Sequence, residues 1–253
     1  MEYEKVAVLI LLCSFLVSAV LTWFYGRQIG DTSCKFSPPL FSPAPRAFGI
    51  WSVIYTFWIL NIVMQLSDAF GKGNMVADPT SNVCIACSWL LAGLWVTVFS
   101  GGDRIRVTIA SLILLSSAGS ALAASFLACD WTVLNYERMF TIGLPASLLA
   151  GWLCVASTLA IGIAVKANDG VPDTCVPKSK SYSILDTPNN YFFTLAPISA
   201  AVLVSLWVVL AGDPVVGLPV VWGIVNMHST TINRVAVVLI VSSIVLSVVL
   251  LAA

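Results

Sequence analysis

The sequence predicts an all-α integral membrane protein, a polytopic bundle of about eight helices, or seven if the weakest segment does not cross. Three observations predict it. Of 253 residues, 59% are hydrophobic and 9% are charged, where a soluble domain carries about 25% charge. The apolar residues are gathered into runs of the length that crosses a bilayer. The loops between the runs are short, leaving no stretch for a soluble domain. Twenty-four charges could not cover a water-facing surface of this size. A soluble enzyme, a nucleic-acid binder and a disordered chain are excluded.

The eight candidate spans cover about 6–25, 46–67, 82–100, 106–128, 140–165, 191–211, 214–232 and 235–253. The first is not a signal peptide by pattern, because its leader of Glu2, Glu4 and Lys5 is not basic and its apolar run is too long. The second opens after a proline-rich stretch. The third and fourth are joined by a short basic connection. The fifth carries Pro145 near its start. The sixth follows the one sizeable polar loop, 167–190. The seventh is the weak one: Pro214, Pro219, Asn226 and His228 predict a kinked or short segment. The eighth is a continuous apolar run. No internal repeat of the inverted kind is evident.

Orientation follows the basic residues. Arg27, Lys35, Arg46, Arg104, Arg106, Lys166, Lys178, Lys180 and Arg234 lie in odd-numbered connections; Lys5, Lys72 and Arg138 lie on the other side. The excess places the odd-numbered loops in the cytosol, and with eight spans both termini face away from it.

No span has an acidic or basic residue near its middle. Intramembrane charges mark ion paths and proton relays, so their absence argues against an ion-coupled pump. His228 is the only histidine, which excludes a metal site built on several histidines. No phosphate loop or nucleophile elbow occurs. The expectation is that the chain is not an enzyme and holds no metal. Cys84 and Cys87 have redox-pair spacing but no second pair beside them, and one helical turn apart they read as small packing residues. Cys129 falls at the same face as Cys84, where a disulfide would need an oxidising compartment. Ser116, Ser120 and Ala124, with Ser117 and Ala121 beside them, predict a close-packing or dimer face on the fourth span.

Nine tryptophans are the distinctive feature. Trp23 and Trp131 lie near span ends, as interfacial anchors do. Trp51, Trp58, Trp89, Trp95, Trp152, Trp207 and Trp222 lie inside spans. Phe48, Trp51, Tyr55 and Trp58 share one helix face. Before them stand Pro38, Pro39, Pro43 and Pro45, which stiffen the loop, and Pro45 suits a first helical turn. This spacing describes either bulky helix packing or the floor of a pocket for a flat apolar ligand.

The segment Pro43-Ala-Pro45-Arg-Ala-Phe48-Gly49-Ile-Trp51-Ser-Val-Ile-Tyr55 resembles the signature of the TspO/translocator-protein family, closest to its longer members. Trp95 stands where the family's third helix has an Asn-x-x-Trp element. Leu144-Pro145, Gly151-Trp152 and Ala156 resemble the pattern of its fifth helix. The resemblance implies a five-helix membrane core over 1–166, a cytosolic loop over 167–190 and extra transmembrane helices over 191–253. It also implies a ligand site lined by Pro45, Phe48, Trp51, Tyr55, Trp58, Trp95 and Trp152. There are departures. Ala92 and Ala160 occupy positions where the family has asparagines, and the sterol motif at the end of the fifth helix lacks its tyrosine.

The leading expectation is a multi-pass membrane protein, embedded in the lipid bilayer, that binds or transports a hydrophobic small molecule of the tetrapyrrole or sterol class, as a sensor or carrier. A porphyrin would be held by stacking, with no sure axial ligand. Two alternatives stay open: a non-catalytic accessory subunit, as a homodimer or in a larger membrane complex, and an uncoupled transporter or channel whose path is lined by Asn61, Gln65, Asn226 and His228.

Overall fold

A computed structural model describes residues 2–36, 44–71, 78–128, 142–168, 190–227 and 231–252. Eight α-helices are formed by these residues: α1 Glu2–Phe36, α2 Ile50–Phe70, α3 Pro79–Phe99, α4 Arg104–Ala128, α5 Leu144–Asn168, α6 Asn190–Leu210, α7 Gly217–Val225 and α8 Thr231–Ala252. Two 3-10 turns precede α2 (Pro45–Gly49) and α7 (Pro214–Val216). The expected helical bundle is therefore present, and α1 to α5 and α8 are each long and apolar enough to cross a membrane. The sequence positions Pro38, Pro39, Pro43, Cys129, His228 and nearly all of the 167–190 loop lie outside the described residues.

Local chemistry fixes the helix boundaries. Asp78 accepts a hydrogen bond from Ser81 N–H at 3.1 Å, with Pro79 in the first turn of α3; the carboxylate satisfies one of the end donors, and proline needs none. Gly102, at φ +67°, makes the tight turn into α4, a conformation a side chain would strain. Asp103 then accepts from Arg106 N–H at 2.9 Å. At 35 residues, α1 is about 52 Å long at 1.5 Å per residue and outruns the roughly 30 Å hydrocarbon core.

The seventh predicted segment is the short one. Its helix, α7, has nine residues, about 14 Å, too little to cross a bilayer alone. It stops where Asn226 turns its backbone carbonyl to the Ala44 N–H, at 2.8 Å.

Helices α1, α3, α4, α5 and α2 close a ring in that order, each packed on the next and α2 on α1. The C-terminal elements α6, α7 and α8 pack against one another, and α6 and α7 pack against α5. Helix α5 is thus shared by the ring and the C-terminal layer. Every residue from Pro145 to Leu153 is buried, as expected of a helix apolar all round.

Small residues allow the close approaches. On α4, Ser117, Ala121 and Ala124 are buried; Ser88 of α3 and Ser117 exchange hydrogen bonds, Ser81 of α3 donates to the Ala124 carbonyl, and Ser125 meets Ser147 of α5. Ser116 of the predicted stripe is exposed, so the packing face is rotated one position from it. Gly151 of α5 faces the Val216 backbone, and Gly223 of α7 faces Val155.

Candidate functional site

The site begins at the first 3-10 turn. Ala44 is extended, at φ −60° and ψ 149°, and Pro45 opens the turn, its fixed φ suited to a first helical position. Gly49 and Ile50 are already right-handed helical, so the turn runs into α2 without a break. Ala47 is fully buried while Pro45 and Arg46 are exposed.

The aromatic residues of this segment meet two tryptophans from other helices. The Phe48 ring stands edge-on to Trp152 of α5, with centroids 6.1 Å apart. Trp51 stands edge-on to the same indole at 6.2 Å and lies 5.6 Å from Tyr55. Tyr55 stacks on Trp89 of α3 at 5.5 Å, and Trp58 meets Trp89 edge-on at 6.0 Å. Phe15 of α1 completes the group, edge-on to Trp89 at 5.0 Å. These separations are those at which aromatic pairs attract, each contributing about 0.5–1.5 kcal/mol beyond burial.

The cluster has a closed base and a half-open side. Trp58, Trp89 and Trp152 are buried. Phe48 is 47% exposed, and Trp51 and Tyr55 are half-buried. Trp58 Nε1–H donates to the Pro145 carbonyl at 3.1 Å. The Nε1–H groups of Trp89, Trp95 and Trp152 find no acceptor among the described residues. A buried donor left unpaired is destabilising by about 1–3 kcal/mol.

Of the seven residues singled out in the sequence, Phe48, Trp51, Tyr55, Trp58 and Trp152 are brought together, with Pro45 at the turn that starts their segment. Trp95 packs on Phe99, centroids 5.4 Å apart, between the main core and a second cluster around Phe36, Val107 and Ile163. Trp89 is the hub that sequence reasoning did not single out. Its signal was available: Ile85, Trp89, Ala92 and Val96 recur at helical spacing and form the buried face of α3.

Polar groups are satisfied in small networks around the cluster. Asn82 Nδ2 donates to Gln65 Oε1 at 2.7 Å, and Gln65 Nε2 donates to Asn61 Oδ1 at 2.9 Å. Ala92 and Ala160 are both buried, apolar where the family pattern has asparagine. The sequence also gave no sign of a buried charge. Asp213, just after α6, is 2% exposed and accepts from the hydroxyls of Ser125 and Ser147 and from Val215 N–H. Adjacency in sequence placed it in a loop; only the fold covers it. Cys84 and Cys87 are free thiols, half-buried and exposed respectively.

The rings of Phe48, Trp51 and Tyr55 are thus left partly exposed beside the buried indoles of Trp89 and Trp152. Over residues 4–253 the chain matches the family described as TSPO-like protein. No curated protein and no solved structure matches it.

Proposed function

We propose a ligand-binding role for this chain, which belongs to the TSPO-like protein family and is an integral membrane helical bundle. In this reading it binds or moves a hydrophobic ligand with a flat body and acceptor oxygens, a tetrapyrrole before a sterol. The observation that carries it is the half-open aromatic cluster, with Phe48, Trp51 and Tyr55 at its accessible side and the unpaired indole N–H groups of Trp89 and Trp152 beneath. Rings offer stacking and edge contacts to a planar molecule, and a ligand acceptor would relieve buried donors that otherwise destabilise the fold. No side chain is assigned covalent chemistry. The excess of basic residues in the odd-numbered connections supports a cytosolic first loop, and so access to the cluster from that side.

Protoporphyrin titrated into the purified protein, followed by tryptophan quenching, tests the reading. Trp51→Ala and Phe48→Ala change residues that are not fully buried, so the bundle should survive them. Together they should weaken binding by at least tenfold. An unchanged affinity in the double variant would put the ligand elsewhere or remove it.

A further inference from the structure

The first 3-10 turn is held from outside the five-helix ring. Arg46 Nε donates to Asn226 Oδ1 at 2.7 Å. The Asn226 backbone carbonyl accepts from Ala44 N–H at 2.8 Å. One turn earlier on α7, Trp222 Nε1–H donates to the Ala47 carbonyl at 2.9 Å. Asn226 Nδ2 is occupied by the Trp222 carbonyl at 2.8 Å, which orients the amide so that its oxygen meets Arg46. Three attachments within four residues, at 44, 46 and 47, therefore immediately precede Phe48.

The element that makes these attachments is itself fixed. Gly223 has no room for a Cβ against Val155, nor Gly217 against Ile240 and Ile244. Ahead of α7, Asp213 is tied to α4 and α5 through Ser125 and Ser147. A displacement of the turn would carry Phe48 with it, and Phe48 is the ring set against Trp152 at the accessible side of the cluster.

We propose that Trp222 and Asn226 are positioning residues of the aromatic site: by pinning Ala44, Arg46 and Ala47 they hold Phe48 against Trp152 and set the width available to a flat ligand. The C-terminal layer thereby takes part in ligand selection without contributing a ring to the cluster. The functional half of this inference rests on the ligand-binding reading above; the pinning half rests on the hydrogen bonds alone. Backbone bonded to a fixed element is protected from exchange, and protection falls when the attachment is lost.

The test uses the full chain in nanodiscs. Trp222→Phe removes one donor and keeps the ring. Arg46→Ala breaks the Asn226 bond without altering α7, so helix disruption is avoided. The combined variant should raise hydrogen–deuterium exchange over residues 44–50 at least fivefold while α5 stays protected. The near-ultraviolet circular dichroism of Arg46→Ala alone, which keeps every tryptophan, should change as that of Phe48→Ala does. Bound protoporphyrin should dissociate at least fivefold faster, and in a Phe48→Ala background the same two substitutions should change that rate less than twofold. A merely structural contact would accelerate dissociation equally with or without Phe48, and that result overturns the proposal, as does unchanged exchange over 44–50. If the unaltered protein binds no protoporphyrin, the ligand reading alone fails, and exchange with circular dichroism still decides whether Phe48 is positioned from α7.

Discussion

Ser147 Oγ donates to Asp213 Oδ2 at 2.7 Å, joining the first turns of α5 to the connection between α6 and α7. The same carboxylate oxygen takes the Ser125 hydroxyl of α4, and the other oxygen caps Val215 N–H at 3.1 Å. One side chain thus ties the C-terminal layer to two helices of the ring. Asp213→Ala would leave two buried hydroxyls and a backbone donor without their acceptor. We expect a loss of about 2–5 kcal/mol, the range for breaking a buried charge-assisted network, read as a lower melting temperature in detergent, with α6 to α8 losing exchange protection before α1 to α4.

Burial pushes the Asp213 carboxyl above its ordinary range, while the bonds from Ser125, Ser147, Val215 and Val216 pull it down. A carboxyl raised in the folded state favours folding below its unfolded value, and that contribution is lost as pH rises through the folded value. Stability should therefore fall with rising pH across that window. Asp213→Asn, which cannot ionise, should flatten the slope. A melting series from acid to neutral pH checks it, and a steeper slope in the variant would contradict this account.

Gly151 is where α5 meets the second 3-10 turn. A Cβ there would collide with the Val216 carbonyl oxygen and crowd the Pro219 ring, and backbone cannot swing aside as a flexible side chain can. Gly151→Ala should destabilise by about 1–3 kcal/mol, as overpacking does. Gly119 is the control: nothing lies within 4 Å of a Cβ built there. Gly119→Ala should be neutral or stabilise by up to about 1 kcal/mol through helix propensity. Paired thermal melts of the two variants measure the contrast.

Trp58 bonds the Pro145 carbonyl at 3.1 Å while 2% exposed. Trp58→Phe keeps an aromatic ring but removes the hydrogen bond between α2 and α5, and should cost about 0.5–1.5 kcal/mol. Trp51→Phe removes no hydrogen bond among the described residues and should cost less. Denaturation of the two variants side by side would separate the hydrogen bond from ring size.

Much of the bundle was legible in advance because lipid imposes a coarse rule. Backbone groups must be satisfied within the segment, so long apolar runs become helices. The weak seventh segment was legible too, from Pro214, Pro219 and Asn226. Part of the aromatic site could be read from the spacing of Phe48, Trp51, Tyr55 and Trp58, because helical periodicity puts them on one face. Which tryptophans from other helices face them could not. Trp89 and Trp95 lie six residues apart on one helix, and the rotation of α3 decides that Trp89 meets the cluster while Trp95 packs on Phe99.

The sequence by itself determined an integral membrane helical bundle, a resemblance to the family through the Pro43 to Tyr55 segment, and a stripe of rings on α2. Those are properties of composition and short-range spacing. Tertiary structure alone decided that Asp213 is buried, that residues 145–153 of α5 are enclosed on all sides, and that Asn226 and Trp222 reach back across about 180 positions to hold the turn before Phe48. Such contacts depend on the rotation and depth of whole helices, set by where Gly151 and Gly223 let backbones approach. No local pattern encodes that geometry.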